Sequence, residues 1–174
     1  MKRIQLIVKT ILVFSVLLAG CSKDADPVAA EKKAKLLAGN KNDSKTWVLL
    51  SITEKVNSDA AANLDFGTCF FDNLYTFYNT ADQEFDTDEG ATKCNVDEPD
   101  LVEEGNWAFS IDGQMLIISS DNVYSNNSLF SYFVDGAFPF PAEVVTLDSE
   151  QMELRMVLEV GVDTVIYTFV FEAA

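Results

Sequence analysis

From Lys45 to the C terminus the chain breaks into short β-rich segments spaced about 8–12 residues apart, with turn residues between them. This spacing constrains the fold more than any other feature. The expected strands are Trp47–Thr53, Phe70–Tyr78, Glu84–Asp88, Asn106–Ile111, Gln114–Ser119, Leu129–Val134, Glu143–Leu147, Gln151–Glu159 and Thr164–Phe171. Residues 57–68, with Asn, Asp, Gly and three Ala, read as a loop. Asp112-Gly113 is the strongest hairpin signal, because this dipeptide adopts the positive φ values that a tight β-turn demands. No second helix is expected after Ala29–Leu37, which Asp26-Pro27 would open and Gly39 would stop. Eight or nine antiparallel strands with short turns predict an all-β barrel or sandwich.

The N-terminus has a different texture. Lys2 and Arg3 precede an apolar run from Ile4 to Leu18, broken by Gln5, Lys9, Thr10 and Ser15. That is the layout of a secretory signal peptide. The run is too short and too interrupted for a spanning helix, which needs about 20 apolar residues. Leu18-Ala19-Gly20-Cys21 resembles the lipobox of bacterial lipoproteins. The resemblance implies cleavage before Cys21, a diacylglycerol on its thiol and acylation of the new N-terminus. Each buried methylene contributes about 0.8 kcal/mol, so three acyl chains anchor where a single chain binds only marginally. The next residues, Ser22-Lys23-Asp24-Ala25-Asp26, partly resemble the signal that exports some Bacteroidota lipoproteins to the outer face of the outer membrane. The expected organisation is a signal peptide (1–20), a tether with a short helix (21–35) and one β-domain (36–174). The expected location is the outer membrane, on its periplasmic or its cell-surface face.

Charge narrows the partners. Removing residues 1–20 takes away three of 12 basic residues and none of the 28 acidic ones, so the net charge moves from −16 to −19. Such a surface repels phosphate backbones and anionic membranes, and nucleic acid is excluded as a partner. Histidine is absent. Ser-His and Cys-His nucleophile pairs and His-ligated zinc are therefore excluded as well. No cofactor or metal is implied.

Cys69 and Cys94 are the pair left once Cys21 is lipidated, and an even pair in an exported chain reads as a disulfide. Placing a turn at Thr80–Gln83, with Asn79 facing Glu84, sets Tyr78 opposite Phe85, Thr76 opposite Thr87 and Cys69 opposite Cys94.

Lys45-Thr46-Trp47, Cys69-x-x-Asp72-Asn73 leading into Tyr75-Thr76-Phe77, Glu89-Gly90-Ala91-Thr92-Lys93-Cys94, Gly105-x-Trp107, and Leu116 after Asp112-Gly113 together resemble the lipocalin-like domain of Bacteroidota lipoproteins. The likeness spans about residues 36–172. It implies a small up-and-down antiparallel barrel of about eight strands, a core position for Trp47 and the Cys69–Cys94 bond. Barrels of this size are filled by side chains or hold one small ligand. Trp47, Phe77, Trp107, Leu116, Met156, Tyr167 and Phe169 are expected to point inward.

Two clusters are candidate sites. Asp82, Asp86, Asp88 and Glu89 could offer oxygen ligands to Ca²⁺, but they lack the glycine and terminal glutamate of an EF-hand loop, and a solvated face is the favoured reading. Residues 129–141 hold five Phe or Tyr rings, two prolines and a single charge, Asp135. Phe130, Tyr132, Phe138 and Phe140 are therefore expected at a barrel mouth that binds an apolar or amphipathic molecule. The alternative is a plug over a solid barrel, with the protein acting as an accessory to another envelope component. No pair of carboxylates stands out for hydrolysis, so no catalysis is expected.

Overall fold

The computed structural model describes residues 28–134 and 139–174. The signal segment, Cys21, Asp26-Pro27 and Phe138 lie outside the described residues. Helix α1 (Ala29–Ala38) is rich in Ala, Lys and Leu, all strong helix formers. Gly39 ends it at φ 84°, where its N–H donates to the Lys35 carbonyl. Strand β1 (Ser44–Val56) follows, then a two-residue edge strand β2 (Ala62–Asn63) and a single helical turn, α2 (Thr68–Phe71). Next come β3 (Leu74–Tyr78), β4 (Glu84–Asp88), β5 (Leu101–Phe109) and β6 (Met115–Val123). A second helical turn, α3 (Leu129–Phe133), precedes β7 (Phe140–Leu147), β8 (Gln151–Val160) and β9 (Asp163–Ala173).

The strands form an antiparallel meander, and β9 pairs back onto β1 from Trp47↔Ala173 to Val56↔Val165. That pairing closes an eight-stranded barrel from β1 and β3–β9, which leaves no free edge along the meander. The fold is compatible with a lipocalin-like barrel. Inward positions alternate along each strand, as the pleat requires. Trp47, Phe77, Trp107, Leu116, Met156 and Phe169 are buried as expected. Tyr167 faces the same way but sits half-buried near one end, where its hydroxyl donates to Glu54 at 2.8 Å.

The two ends of the barrel differ. At one end α1 closes the opening. The Trp47 indole donates to the Leu37 carbonyl at 2.8 Å, and the Asn79 amide donates to the Gly39 carbonyl at 2.8 Å. The other end carries the three long connections, and α2 and α3 sit among them.

Three expectations are corrected. Phe70–Tyr78 is not one strand, because its first part forms α2 and pairing begins at Leu74. Leu129–Val134 is not a strand either. The Ser128 hydroxyl accepts from the Ser131 N–H at 3.1 Å and caps α3, and β6 pairs instead with Phe140–Glu143. The register of the β3–β4 hairpin is shifted by one residue: Phe77 faces Phe85 and Tyr75 faces Thr87. With Tyr78 opposite Phe85, as expected, only one of Phe77 and Phe85 could point inward. The observed register buries both, with rings stacked 6.0 Å apart. Gln83 at φ 51° supplies the turn geometry that permits it.

Gly105 has a steric reason to be glycine. A β-bulge between Glu104 and Gly105 brings β6 onto this backbone, and a Cβ there would lie 2.0 Å from the Ser119 carbonyl oxygen. The Gly105-x-Trp107 pattern thus marks a close backbone approach, two residues before an inward Trp whose indole donates to the Glu84 carbonyl at 3.0 Å.

Candidate functional site

The residues expected at the barrel mouth are divided by the structure. Phe130 and Phe140 are buried in the core. Phe130 packs edge-on against Tyr75, Phe85 and Phe140, with centroids 5.7, 5.4 and 5.2 Å away. Tyr132 is 60% exposed and meets Phe66 at 5.1 Å. Phe133 packs on Phe169 at 5.0 Å and on Tyr167 at 4.7 Å. Phe130 and Phe133 thus plug the open end, while Tyr132 lies on top of the plug.

Beneath this plug lies a polar row that the sequence reading did not single out. Tyr75 on β3 is opposed to Thr87 on β4, and Thr87 is opposed to Glu103 on β5. All three point inward and are fully buried, as is Asn73 just before β3. Glu103 accepts from the Ser120 hydroxyl at 2.7 Å and from the Phe130 N–H at 3.4 Å. The Tyr75 hydroxyl, the Thr87 hydroxyl, both ends of the Asn73 amide and the Ser131 hydroxyl make no hydrogen bond within the described residues. An unsatisfied buried polar group costs about 1–3 kcal/mol. Orphaned groups gathered on one inner wall therefore stand out.

Burial also acts on the charges. It raises the Glu103 pKa above the ordinary carboxylate range, against the opposing pull of the hydrogen bonds from the Ser120 hydroxyl and the Phe130 N–H. Burial and the neighbouring Glu103 carboxylate push the Tyr75 phenol well above its usual value. A carboxyl whose folded pKa is raised holds its proton more tightly when folded. Its contribution to stability is present below the ordinary Glu pKa and declines as pH rises from there toward the raised value. Glu103→Gln is therefore expected to flatten the pH dependence of unfolding. Denaturant titrations from about pH 4 upward should show the variant gaining on the native protein as pH increases. Asp86 and Asp88 are also shifted up by burial, but both are present in each protein and cancel in the difference.

The acidic cluster is dispersed. Asp86 and Asp88 lie on the outer face of β4, where Asp86 accepts from the Tyr78 hydroxyl at 2.7 Å. Glu89 is buried and accepts from the Asn127 amide at 3.0 Å and from the Cys94 N–H at 3.2 Å. Asp82 belongs to the β3–β4 turn. Among the described residues no three Cys, Asp or Glu side chains converge as metal ligands.

Among the described residues, two grooves on the outside of the barrel stand out. One, of about 430 Å³, runs over the outer wall past Tyr78, Asp86, Glu104, Asn106 and Asn122. There Glu104 accepts from the Tyr124 hydroxyl at 2.7 Å and the Asn122 amide at 3.0 Å. The other, of about 470 Å³, lies between α1 and the β3–β4 turn, past Ala30, Ala34, Thr80 and Phe109.

The Cys69–Cys94 disulfide is present, with Cα atoms 5.1 Å apart. It is not a cross-strand pair. Cys69 is on α2 and Cys94 is in the β4–β5 connection, so the bond ties two of the three long connections together.

A signal for Glu103 exists in the sequence. Glu103, Gly105 and Trp107 follow one another at the strand period of two, so a strand that buries Trp107 also turns Glu103 inward. Starting that strand at Asn106 hid it. The chain matches no protein-family model and no curated protein.

Proposed function

We propose that this chain is a lipid-anchored cell-envelope protein whose barrel holds one small amphipathic ligand, without catalysis. The observation that carries the ligand reading is the buried row Tyr75–Thr87–Glu103 with Asn73. A barrel built only as a solid support gains nothing from a carboxylate and partnerless hydroxyls in its interior, and apolar side chains of similar size would serve it better. The anchor reading rests on Leu18-Ala19-Gly20-Cys21 at the end of a signal-like segment, and a disulfide accords with export. The expected outer-membrane location rests on these residues and on the partial likeness of Ser22-Lys23-Asp24-Ala25-Asp26 to an export signal.

A second reading has its own support. Phe130 and Phe140 fill the interior, and both grooves are external. A filled barrel of this kind would act through its outer wall, as an accessory to another envelope component.

Two measurements test the proposal. Native protein should fractionate with membranes and show an acylated N-terminal cysteine by mass spectrometry, and Cys21→Ala should move it to the soluble fraction. A soluble form starting after Cys21 should bind the neutral, environment-sensitive dye Nile red saturably, with one dye per barrel. An unmodified Cys21 within the uncut chain would overturn the anchor. Absence of saturable dye binding would leave the accessory reading in front.

A further inference from the structure

We propose that the inner-wall row Tyr75–Thr87–Glu103 receives a protonated primary amine, which is the polar head of the amphipathic ligand. This rests on the ligand reading above and adds the ligand's chemical class.

The argument begins with what surrounds the Glu103 carboxylate. Among the described residues the salt bridges are Lys93–Asp100 and Arg155–Glu143, and neither involves Glu103. Its two hydrogen bonds come from neutral donors, the Ser120 hydroxyl and the Phe130 N–H. A buried carboxylate without a cation is costly, because its ionised form has lost its hydration and gained no countercharge. Burial accordingly drives its pKa upward.

The neighbours can accept. Along the row, the Tyr75 and Thr87 hydroxyls and both ends of the Asn73 side-chain amide are fully buried and have no hydrogen-bond partner within the described residues, and the two hydroxyl oxygens and the amide oxygen are free to accept. An alkylammonium offers three N–H donors and one positive charge on a compact head. It would satisfy the carboxylate with a charge-assisted bond and use the remaining donors on these oxygens. A carboxylate head would bring a second negative charge beside Glu103 in a medium of low dielectric. An alcohol head would satisfy hydrogen bonds but leave the charge uncompensated. The rings of Tyr75, Phe85 and Phe130, packed edge to face on one another, add apolar surface for the amine's chain.

The overall charge, −19 once residues 1–20 are removed, would favour any cation at a distance. That contribution is screened by salt, whereas a buried pair is screened much less. The two origins are therefore separable.

The test displaces Nile red with decylamine, decanol and decanoate at low salt and at about 0.5 M salt, where the Debye length is only a few ångströms. Native protein, Glu103→Gln and Glu104→Gln are compared. Glu104 is the adjacent residue on the outer wall and controls for the general field. Decylamine is expected to displace the dye at concentrations at least about tenfold below decanoate, a difference of about 1.4 kcal/mol. The preference should persist at high salt, survive in Glu104→Gln and collapse in Glu103→Gln. Thermal melting establishes that each variant is folded. If Glu103→Gln does not fold, Thr87→Val carries the test through a selective loss of decylamine over decanol. Three amphiphiles displacing equally, or a preference that vanishes with salt or persists in Glu103→Gln, would overturn the amine assignment while leaving a ligand barrel. Dye binding that no amphiphile displaces, or no dye binding at all, would overturn the ligand reading and this inference together. A crystal structure grown with decylamine that holds only water along the row would also overturn it.

Discussion

Trp47→Ala is expected to lower the free energy of unfolding by about 3–5 kcal/mol, the range for truncating a buried aromatic core residue. Denaturant titration followed by circular dichroism measures it. Trp47 is fully buried on β1, opposed to Tyr75 on β3 and to Ala173 on β9, so it sits where the barrel closes. Three losses combine. The ring leaves a cavity between closing strands. The Leu37 carbonyl, which accepts from the indole at 2.8 Å, loses its side-chain donor. The Lys45 ammonium, 3.9 Å over the ring, loses a cation–π contact while keeping its bonds to the Leu36 and Ser149 carbonyls. Trp47→Phe separates these effects. It retains most of the apolar volume and should cost about 1–3 kcal/mol, chiefly for the unpaired carbonyl. Since that carbonyl ends α1, amide exchange in α1 should rise in both variants. A loss below about 1 kcal/mol for Trp47→Ala would show that the barrel seam does not depend on this ring.

Much of the barrel was legible because its strands expose one face and bury the other. Gln151–Val160 and Asp163–Ala173 alternate over their paired lengths, and Asp112-Gly113 declares its turn. What failed was set by contacts distant in sequence. Leu129–Phe133 has the composition of a strand, and the Ser128 cap that makes it a helical turn is a weak local signal. Its helical form places Phe130 beneath the mouth and Phe133 against Phe169, partners that local sequence does not reveal. The aromatic content of residues 129–141 was visible; whether those rings face a ligand or fill the core depends on what lies below them. The β3–β4 register slipped for a related reason. Placing the turn at Thr80–Gln83 with Asn79 facing Glu84 gave one answer, and the joint burial of Phe77 and Phe85 gave another that wins because it governs every side chain on both strands. Glu103 was hidden because the strand was expected to start at Asn106; consecutive strand residues point to opposite faces, so one of Glu103 and Glu104 must enter the barrel once the strand reaches Leu101.

Replacing both Cys69 and Cys94 with Ser is expected to cost about 3.5 kcal/mol, the loop-closure entropy of a bond across about 26 residues. The sequence separation is 25. The effect should reach beyond the unfolded state, because the bond holds α2 against the β4–β5 connection. From α2, Phe70 enters the core and stacks on Phe66 at 4.7 Å, and Phe66 meets Tyr132 of α3 at 5.1 Å. From the other side, Glu89 accepts from both the Cys94 N–H and the Asn127 amide, and Asn127 lies just before the α3 cap. The staple therefore supports α3 from two directions. The double variant should show faster amide exchange in α3 and α2 before global unfolding, while α1, at the opposite end, stays as protected as global stability allows. Combined with Trp47→Ala, which acts at the α1 end, the two losses should add to within about 0.5 kcal/mol, as expected for sites without shared partners. A clear departure from additivity would mean that the two ends of the barrel are coupled through its aromatic core, with Tyr75 as the connecting side chain: it is opposed to Trp47 across β1 and β3 and packs its ring on Phe130.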